Sequence, residues 1–526
     1  MGLRAALKRG FDRVERPLDR LFGPDWNPLA NLGPLGWLMF WIVTATGIYL
    51  FIFFDTGVVN AYQSVKWLSE THWLHAGLAR SLHRYASDFL VLLMLIHLVR
   101  EWALDRYRGR RWFSWITGVP VIWFVYMSGI TGYWLVWDEL AQYVALTTTE
   151  LLDALPFFAE PIARNFLTPA SLSGRFFTLM VFLHIAIPLL LLLMMWIHIQ
   201  RITAARTMPP RGLSVLTLAA LVIVSFAMPA VLQGPADLAT FPATVGLDWF
   251  ILGLYPVIDM VPPSVIWTGA LLFTVLMFGL PWLPPRKEAE AAQVFLDFCN
   301  GCTRCEADCP YTAITMVPRS DGLPFPQEAL VDPDRCVACG ICMGSCPSST
   351  PFRRSGPLIT GIDLPGRPLE QLRDEVIAAG ADLSGQGRVM TIACEHGAAN
   401  VPEKGRVILP CVAMAPPSLF DFILSRDLAD GVCIAGCAER ECYNRLGARW
   451  TKDRIARTRD PMLRERVPRE RLLTVWAGPS ERARLADAIR AFRERVAALE
   501  PMPGKRRLET EEAETAADAA AEEDAE

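Results

Sequence analysis

Five long runs without a charged residue constrain the fold of this chain more than any other feature. They all lie within the first 285 residues and cover 26–54, 112–137, 176–200, 212–236 and 260–285. Each meets the roughly 20 residues that an α-helix needs to cross the hydrocarbon core of a membrane. A sixth candidate, about 82–103, contains His83, Arg84, Asp88 and His97. The sequence therefore predicts an all-α membrane helix bundle of about six spans.

The charged residues are distributed unevenly between the two parts of the chain. Residues 1–286 hold 37 of the 106 charged residues, although they make up more than half of the 526 positions. The remaining residues have the charge density of a water-soluble protein. The net charge of −4 gives no indication of nucleic-acid binding. The sequence therefore excludes an ordinary soluble enzyme and predicts a membrane part followed by a soluble part, with lipid as one partner.

Lys and Arg indicate the orientation of the predicted spans. The segment before the first span and the loops after the second and fourth carry fourteen of them, whereas the opposite loops offer only Lys66, Arg164 and Arg175. Because cytoplasmic loops are enriched in these residues, both termini are expected on the cytoplasmic side. We therefore predict a multi-pass protein of the bacterial inner membrane. Residues 1–22 are expected to form an amphipathic helix on that surface, with a solvated basic tail as the alternative.

Composition and periodicity divide the chain into six segments. After the surface helix, the bundle occupies 23–286, and a ferredoxin-like α+β domain is expected at 292–352. A linker rich in Pro and Gly follows at 353–386. Strand-like runs at 388–393, 406–410, 431–435 and 472–476 alternate with helical ones, so 387–498 is expected to form an α/β domain. Residues 499–526 have the composition of a disordered acidic tail.

Two pairs of histidines share one spacing. His83 and His97 lie 14 residues apart on the second span, and His184 and His198 lie 14 apart on the fourth. Fourteen residues are close to four helical turns and rise about 21 Å, so each pair shares a face and places one His towards each surface. Two such helices can hold two haems, each between one His from each helix. The alternative is structural histidines, but ionisable groups within spans are costly and usually functional.

Glycines repeat the spacing on two other spans. Gly33 and Gly47 are 14 residues apart on the first span, as are Gly118 and Gly132 on the third. Glycine allows a haem edge to approach a helix backbone. We therefore place Gly47 and Gly132 beside the haem nearer the outer membrane surface, the outer haem. Gly33 and Gly118 are placed beside the haem nearer the cytoplasmic surface, the inner haem. Simple helix packing is the alternative.

Residues 1–286 resemble cytochrome b of bc-type quinol-oxidising complexes. The resemblance covers Asn31-Leu32-Gly33, Arg80-Ser81-Leu82-His83-Arg84, the paired His and Gly residues, and Gly132-Tyr133-Trp134-Leu135-Val136-Trp137-Asp138. It implies two haem b groups in a four-helix core, with His83 and His184 on the outer haem and His97 and His198 on the inner one. It also implies quinone as substrate and admits a homodimer through this region. Arg80 and Arg84 would pair with outer-haem propionates, with solvated interface charge as the alternative.

A weaker similarity concerns the outer quinone site. Asp248-Trp249-Phe250 is similar to the family's quinol motif, in which a Glu precedes the aromatic pair, but here Leu247 stands where the family has Pro. From this resemblance we expect Asp248 and Asp138 to relay protons of the quinone reaction. An ordinary interfacial Asp-Trp is the alternative.

Eight cysteines form two complete bacterial-ferredoxin runs. Each run is Cys-x2-Cys-x2-Cys-x3-Cys-Pro, and in that arrangement the fourth Cys of each run serves the other cluster. One [4Fe–4S] cluster is therefore expected on Cys299, Cys302, Cys305 and Cys346, and a second on Cys336, Cys339, Cys342 and Cys309. A zinc ribbon would use about four cysteines in pairs.

Five cysteines remain in the predicted α/β domain. The stretch from Gly431 to Cys437, with Glu441-Cys442-Tyr443 and Arg445-Leu446-Gly447, resembles the delta subunit of methyl-viologen-reducing hydrogenase. That resemblance implies a [2Fe–2S] cluster and soluble flavin partners. We assign Cys394, Cys411, Cys437 and Cys442 as its ligands. Cys433 lies within a strand and is expected in the core, and His396 in an exposed loop.

No dinucleotide fingerprint, P-loop or hydrolytic triad accompanies these motifs. The sequence therefore predicts a quinone-reactive oxidoreductase subunit that takes electrons from a cytoplasmic flavoprotein or an NAD(P)H, formate or other dehydrogenase. Electrons would pass through one [2Fe–2S] and two [4Fe–4S] clusters to two b haems and the quinone pool. The alternatives are the reverse flow, from quinol to a low-potential cytoplasmic reductase, and an anchor that does not react with quinone.

Overall fold

The computed structural model describes residues 3–23, 26–156, 167–168, 171–200, 206–240, 242, 244–283, 290–349, 352, 359–398, 404–438, 442–479 and 481–500. The chain divides into two compact units, Met1–Pro285 and Arg286–Glu526. The first unit is helical in its described residues, and the second combines short strands with helices. This is the predicted succession of a helix bundle, a small sheet-containing domain and an α/β region. From residue 501 on, the predicted acidic tail lies outside the described residues.

Ten α-helices account for most of the described residues of the first unit. They are α1 Leu3–Phe22, α2 Leu32–Phe53, α3 Asn60–Glu70, α4 Leu78–Ala103, α5 Trp112–Val136, α6 Glu139–Asp153, α7 Gly174–Ile199, α8 Arg211–Ala227, α9 Tyr255–Ile258 and α10 Pro263–Gly279. Five helical segments of the described chain are long and apolar enough to cross a membrane: Pro28–Phe53, Trp73–Ala103, Trp112–Val136, Gly174–Ile199 and Pro263–Trp282. Helices that are apolar all round are typical of membrane spans.

The segment predicted as a span at 212–236 differs from that expectation. Its helix, α8, comprises 17 residues and ends at Ala227, two residues before Pro229. The residue before a proline is driven out of the helical conformation, which explains the early end. Seventeen residues rise about 25 Å, at the lower limit for crossing a bilayer. By length and composition the structure therefore supports five spans, with α8 as a shorter apolar helix.

The predicted surface helix forms as α1 and is held to the end of α4. Glu15 and Arg100 make a buried ion pair of 2.8 Å between carboxylate and guanidinium. Arg4 and Asp105 add a more exposed pair of 2.7 Å. Because a buried charge is costly without its partner, the Glu15–Arg100 pair fixes where α1 meets the bundle.

Two helix pairs form the centre of the bundle. Helix α2 packs along α4, and α5 packs along α7. Leu35 and Met39 of α2 pack with Ala86 and Leu93 of α4 in one apolar cluster. Each pair thus combines one glycine-bearing helix with one histidine-bearing helix, which brings the repeated spacings of the sequence side by side.

The second unit begins with short strands and single-turn helices. Strands β2 Ile314–Pro318 and β3 Gln327–Val331 form an antiparallel hairpin, and β1 Gln293–Val294 pairs antiparallel with β4 Ile362–Asp363. The helices α11 Arg304–Ala307 and α12 Ile341–Ser345 each lie within one cysteine run. Of the eight ferredoxin-type cysteines, Cys305 lies on α11 and Cys342 on α12, and the other six lie in the loops around these elements.

The α/β part contains a parallel sheet in the order β6-β5-β7-β8. The strands are β5 Val389–Cys394, β6 Arg406–Leu409, β7 Gly431–Gly436 and β8 Leu472–Trp476, close to the four predicted runs. Helices α13 Leu369–Ala381, α14 Pro417–Ser425, α15 Gly447–Ile455 and α16 Arg482–Ala497 complete it. Every residue of β5 and β7 is buried, as expected for central parallel strands covered on both faces.

The prediction of a linker at 353–386 is wrong for its described part. Residues 359–386 contain β4 and α13, and Leu369, Leu372 and Val376 are buried. They belong to a single apolar core that runs from Ala292 of the ferredoxin-like part to Val467 of the α/β part. The Pro and Gly residues of this stretch lie around folded elements, so the two soluble parts are packed as one body.

Candidate haem and iron–sulfur centres

The paired histidines face each other across the bundle at two depths. The imidazole centroids of His83 and His184 lie 6.3 Å apart, and those of His97 and His198 lie 6.5 Å apart. A metal–imidazole bond of about 2 Å places a ring centroid roughly 3 Å from the metal, so two rings on opposite sides of one iron stand roughly 6.3 Å apart. Both separations therefore fit an iron held between two imidazoles.

Hydrogen bonds orient three of these rings for coordination. The Nδ1 atom of His83 lies 3.0 Å from the carbonyl oxygen of Val43, and His184 and His198 bond the backbone of Ser128 and Ser114. A carbonyl oxygen only accepts, so Nδ1 carries the proton in each ring. The Nε2 lone pair is then available to a metal, the arrangement usual for metal-ligating histidines.

A threonine hydroxyl adds a second contact to each of these Nδ1 atoms. Thr46 lies 3.1 Å from His83, Thr131 lies 3.2 Å from His184, and Thr117 lies 3.3 Å from His198. Each hydroxyl donates its own proton to a carbonyl of its helix, so its oxygen is free to accept from Nδ1–H. Sequence reasoning missed these threonines. The available signal was the dipeptide Thr-Gly, which occurs at all three positions.

The glycines make room for the histidine rings. A Cβ atom would lie 3.0 Å from His83 Cε1 at Gly47, 2.8 Å from His184 Cε1 at Gly132, and 3.1 Å from His198 Cε1 at Gly118. At Gly33 it would meet nothing within 4 Å. Three of the four glycines thus let a ligand ring approach the neighbouring helix. The expected approach of a haem edge to the same glycines stays a prediction.

The two arginines expected beside the outer haem contact protein groups. Arg80 donates through Nη1 to Ser69 Oγ at 3.0 Å and to the carbonyl of Ala230 at 2.7 Å. Arg84 Nε lies 4.0 Å from Asp248 Oδ2. Their predicted pairing with propionates stays a prediction, and the structure assigns Arg80 an additional function in holding the chain that follows α8.

The two predicted proton-relay residues have different surroundings. Asp138 caps α6, since its Oδ1 accepts from the Ala141 amide at 2.9 Å and its Oδ2 from the Gln233 amide at 3.1 Å. Asp248 is buried, accepts a hydrogen bond from the Tyr133 hydroxyl and faces Arg84. Both carboxylate oxygens of Asp138 thus accept hydrogen bonds from backbone amides. Asp248 instead lies in a polar cluster with Tyr133 and Arg84, the residues that directly follow Gly132 and His83 in the chain.

The first set of ferredoxin cysteines lines one cavity. Its lining includes Cys299, Cys302, Cys305 and Cys346. Burial, followed by the charges of the other three thiols, raises the pKa of Cys305 to about 12. The structure thus brings together the four cysteines assigned to the first [4Fe–4S] cluster, including Cys346 from the second run.

The second set converges on Cys342. Burial, followed by the charges of Cys339, Cys305, Cys336 and Cys309, raises the pKa of the Cys342 thiol well above its usual range. Cys309 therefore lies with the second run, as the crossed pattern of ligands requires. The contribution of Cys305 shows that the two sets are neighbours. Such thiols deprotonate readily only when a metal binds them.

The third set lies at the carboxyl ends of three adjacent parallel strands. Cys394 ends β5, Cys411 follows β6, and Cys437 follows β7. The sulfur atoms of Cys394 and Cys437 are 3.3 Å apart, and Cys442 hydrogen-bonds with Cys437. A Cβ atom at Gly447 would lie 2.3 Å from Cys411 Sγ, so only glycine admits this sulfur. The four cysteines assigned to a [2Fe–2S] cluster therefore meet.

The third set adjoins the second. Cys339 packs against the buried cluster of Ile341, Cys411 and Ala413. Its charge also contributes, after burial and Cys442, to raising the pKa of Cys411. In the described part of the chain no three His, Cys, Asp or Glu side chains stand close enough to chelate one metal ion. The second set thus neighbours both of the others, through Cys305 of the first and Cys411 of the third.

The two candidates left outside the ligand sets are Cys433 and His396. Cys433 is fully buried among Val389, Ala435 and Phe492 on the opposite face of the sheet, and burial raises its pKa to about 12. His396 stacks on Tyr443 at 3.5 Å between ring centroids and pairs with Glu395.

Three family models match successive parts of the chain. Residues 19–205 match the family cytochrome b/b6/petB, residues 298–350 match the 4Fe-4S dicluster domain, and residues 385–500 match the delta subunit of methyl-viologen-reducing hydrogenase. A solved structure titled "Hyperthermophilic respiratory Complex III" is 20% identical and aligns over 48% of this chain and 75% of that chain, with a TM-score of 0.40.

The three family matches follow one another in the order in which the sites occur. A cytochrome b region implies haem b, and a dicluster domain implies [4Fe–4S] clusters; both are one-electron carriers. The chain is therefore a membrane electron-transfer subunit that joins a cytochrome b/b6 region, a 4Fe-4S dicluster domain and a hydrogenase delta-subunit domain.

Proposed function

We propose that this subunit passes electrons from a cytoplasmic dehydrogenase through three iron–sulfur clusters and two b haems to the quinone pool. The observation that carries the proposal is the contact of Cys339 with the Cys411 cluster. It joins the α/β part to the ferredoxin-like part within one packed core. Electron carriers held this close together can exchange electrons without moving. The soluble unit is therefore suited to electron transfer between its proposed clusters.

Each proposed cofactor has its own ligand set. Two haem b groups are held by His83 with His184 and by His97 with His198. Bis-imidazole ligation suits electron transfer because it leaves no coordination position open for substrate. Two [4Fe–4S] clusters and one [2Fe–2S] cluster are held by the twelve cysteines of the three sets, which would give ten cluster irons per chain. The third set is buried throughout, whereas the first two sets combine buried with partly exposed cysteines.

The proposed electron entry is the [2Fe–2S] site. The family model that matches residues 385–500 describes the delta subunit of methyl-viologen-reducing hydrogenase. We infer that the corresponding face of this chain receives electrons from a soluble redox partner, a flavoprotein or another dehydrogenase subunit. The reverse direction, from quinol to a low-potential reductase, uses the same sites and differs in the potentials of donor and acceptor.

The proposed quinone site lies near the outer haem. Asp248 is buried beside Arg84 and Tyr133, which directly follow the proposed ligand His83 and Gly132 in the chain. A carboxylate hydrogen-bonded to a phenol can accept or deliver the protons that accompany quinone chemistry. Asp138 would act indirectly, since its carboxylate holds Gln233 and the start of α6.

We also propose six membrane crossings with both termini in the cytoplasm. The excess of Lys and Arg supports this orientation. Six crossings also require that the 17-residue helix α8 spans the membrane. Reporter fusions of the full-length chain in bacterial membranes test it, with a phosphatase active only outside and a fluorescent protein active only inside. Five crossings would put a fusion at residue 500 on the opposite side from one at residue 3.

The serial order of carriers is tested with purified, fully reduced protein mixed anaerobically with a short-chain quinone. We expect haem b and the iron–sulfur signals to be oxidised together in the wild type. In His97→Ala the clusters should stay reduced, because the inner haem is missing from the route. His75→Ala is the matched control, since His75 belongs to neither pair. Cluster oxidation at an unchanged rate in His97→Ala would contradict the proposal.

A further inference from the structure

A buried cation lies at the junction of the three cysteine sets. Arg454, on α15, has a side chain that is 1% exposed. Its Nη1 donates to the carbonyl oxygen of Ala413 at 2.8 Å, and its Nη2 donates to Asp308 Oδ2 at 2.5 Å and to Ser345 Oγ at 2.6 Å. A guanidinium is expensive to bury, so a buried one is held only where its partners are well placed.

Each hydrogen-bond partner of Arg454 lies close in sequence to a cysteine of a different set. Asp308 immediately precedes Cys309 of the second set, and Ser345 immediately precedes Cys346 of the first. Ala413 lies two residues after Cys411 of the third set and packs with it. The Arg454 side chain thus contacts residues that lie one or two positions from a proposed ligand of each of the three clusters.

The chain also makes steric room for this arrangement. A Cβ atom at Gly344 would lie 2.8 Å from Arg454 Nη1 and 2.0 Å from the Ala413 carbonyl oxygen. Any larger residue at position 344 would separate the ferredoxin-like part from the α/β part at this point. Close approach of the guanidinium to the cysteine sets therefore depends on glycine.

The local charge at the junction is positive. Asp308 is shared by two cations, since Arg459 Nε donates to its Oδ1 at 2.6 Å and the Arg459 guanidinium stacks over Trp450. The side chain of Arg459 is 26% exposed, so solvent screens its charge more than that of Arg454. The buried charges of Arg454 and Asp308 are therefore the charges at the junction that solvent screens least.

We propose that Arg454 and Asp308 together set the reduction potentials of the three clusters, with Arg454 raising them and Asp308 lowering them. Each cluster gains one negative charge when it accepts an electron and loses it when it passes the electron on. A buried cation nearby favours the reduced form, and net charge, hydrogen bonds and solvent exposure are the protein's means of tuning such potentials. This inference rests on the clusters of the proposed function.

Redox titration of the full-length protein, followed by electron paramagnetic resonance, tests the proposal. Arg454→Gln should shift the cluster potentials downward, and Asp308→Asn should shift them upward. The double variant should return towards the wild type, because its net charge at the junction is that of the wild type. Arg454→Lys, which keeps the charge, should shift them less than Arg454→Gln.

Arg388→Gln is the matched control. Arg388 also pairs with two carboxylates, Asp427 and Asp430, but it precedes β5, whereas Cys394 lies at the carboxyl end of that strand. Six strand residues span about 20 Å, so this variant removes a comparable ion pair far from the clusters. We expect its potentials to be unchanged.

The outcomes separate the inference from the function on which it rests. Wild-type protein without cluster signals or cluster iron would overturn the proposed function. Intact clusters whose potentials move in the same direction in Arg454→Gln and Asp308→Asn, or do not move, would overturn the assignment of Arg454 and Asp308 and leave the proposed electron route standing.

Discussion

The sulfur atoms of Cys394 and Cys437 lie 3.3 Å apart, although 43 positions separate the two residues in the chain. The parallel pairing of β5 with β7 produces this contact, since it places the carboxyl ends of both strands at one edge of the sheet. Cys411 reaches the same edge from β6. Cys394 and Cys437 of the third set are therefore positioned by two strands that are buried throughout.

We expect each purified chain to contain two haem b groups and ten cluster irons. The reason is that two histidine pairs and twelve convergent cysteines are available as ligands. Pyridine haemochrome and total iron analysis measure both numbers. Cys411→Ser should lose two irons, whereas Cys433→Ala should keep all ten, because Cys433 lies on the other face of the sheet. Covalently bound haem, or an equal iron loss in both variants, would contradict the assignment.

His97→Ala should remove the inner haem and leave the outer haem in place. The two pairs lie at separate depths, so each haem depends on its own ligands. The haem-to-protein ratio should fall from two to one, and a single midpoint potential should remain in a redox titration. Full retention of both haems would show that the pairing is wrong.

Gly132→Ala should weaken the outer haem site. The added methyl group would lie 2.8 Å from Cε1 of His184 and displace the ring, and overpacking of this kind costs about 1–3 kcal/mol. We expect a lower occupancy and a shifted potential for the outer haem. Gly33→Ala is the control with the same chemical change, since a Cβ atom there meets nothing within 4 Å. Equal effects of both substitutions would argue against a ring-clearance function for Gly132.

Turnover with quinone should depend on the membrane potential. If quinone reacts near Asp248, electrons entering from the cytoplasmic side cross most of the bilayer, at about 2.3 kcal/mol per charge per 100 mV. In sealed vesicles an uncoupler should change the rate, and Asp248→Asn should reduce it. Asp138→Ala should act mainly on stability, by about 1 kcal/mol, because Asp138 is a helix cap. A fully active Asp248→Asn protein that is insensitive to the uncoupler would place the quinone on the inner side.

The sequence by itself determined which residues can hold cofactors. Helical periodicity requires that residues 14 apart share a face, so the four histidines were predictable from spacing alone. The crossed ferredoxin pattern likewise predicted that Cys346 joins the first run and Cys309 the second. All four predicted strands end within one residue of the observed ones, because a buried parallel strand is a short apolar run and is readable as such.

Only the tertiary structure decided how those residues are supported and connected. The threonine contacts of the histidine rings, the ring clearance at Gly47 and Gly132, and the hydrogen bond from the Gln233 amide to Asp138 join segments that are far apart in the sequence. The same holds for the stretch after residue 359, where Pro and Gly suggested a linker but long-range burial of Leu369 and Leu372 makes it part of the core. The neighbourhood of Cys339 and Cys411, and the buried Arg454 beside them, follow from packing two differently folded parts around one apolar interior, because burial of shared apolar surface, and not any sequence motif, sets their separation.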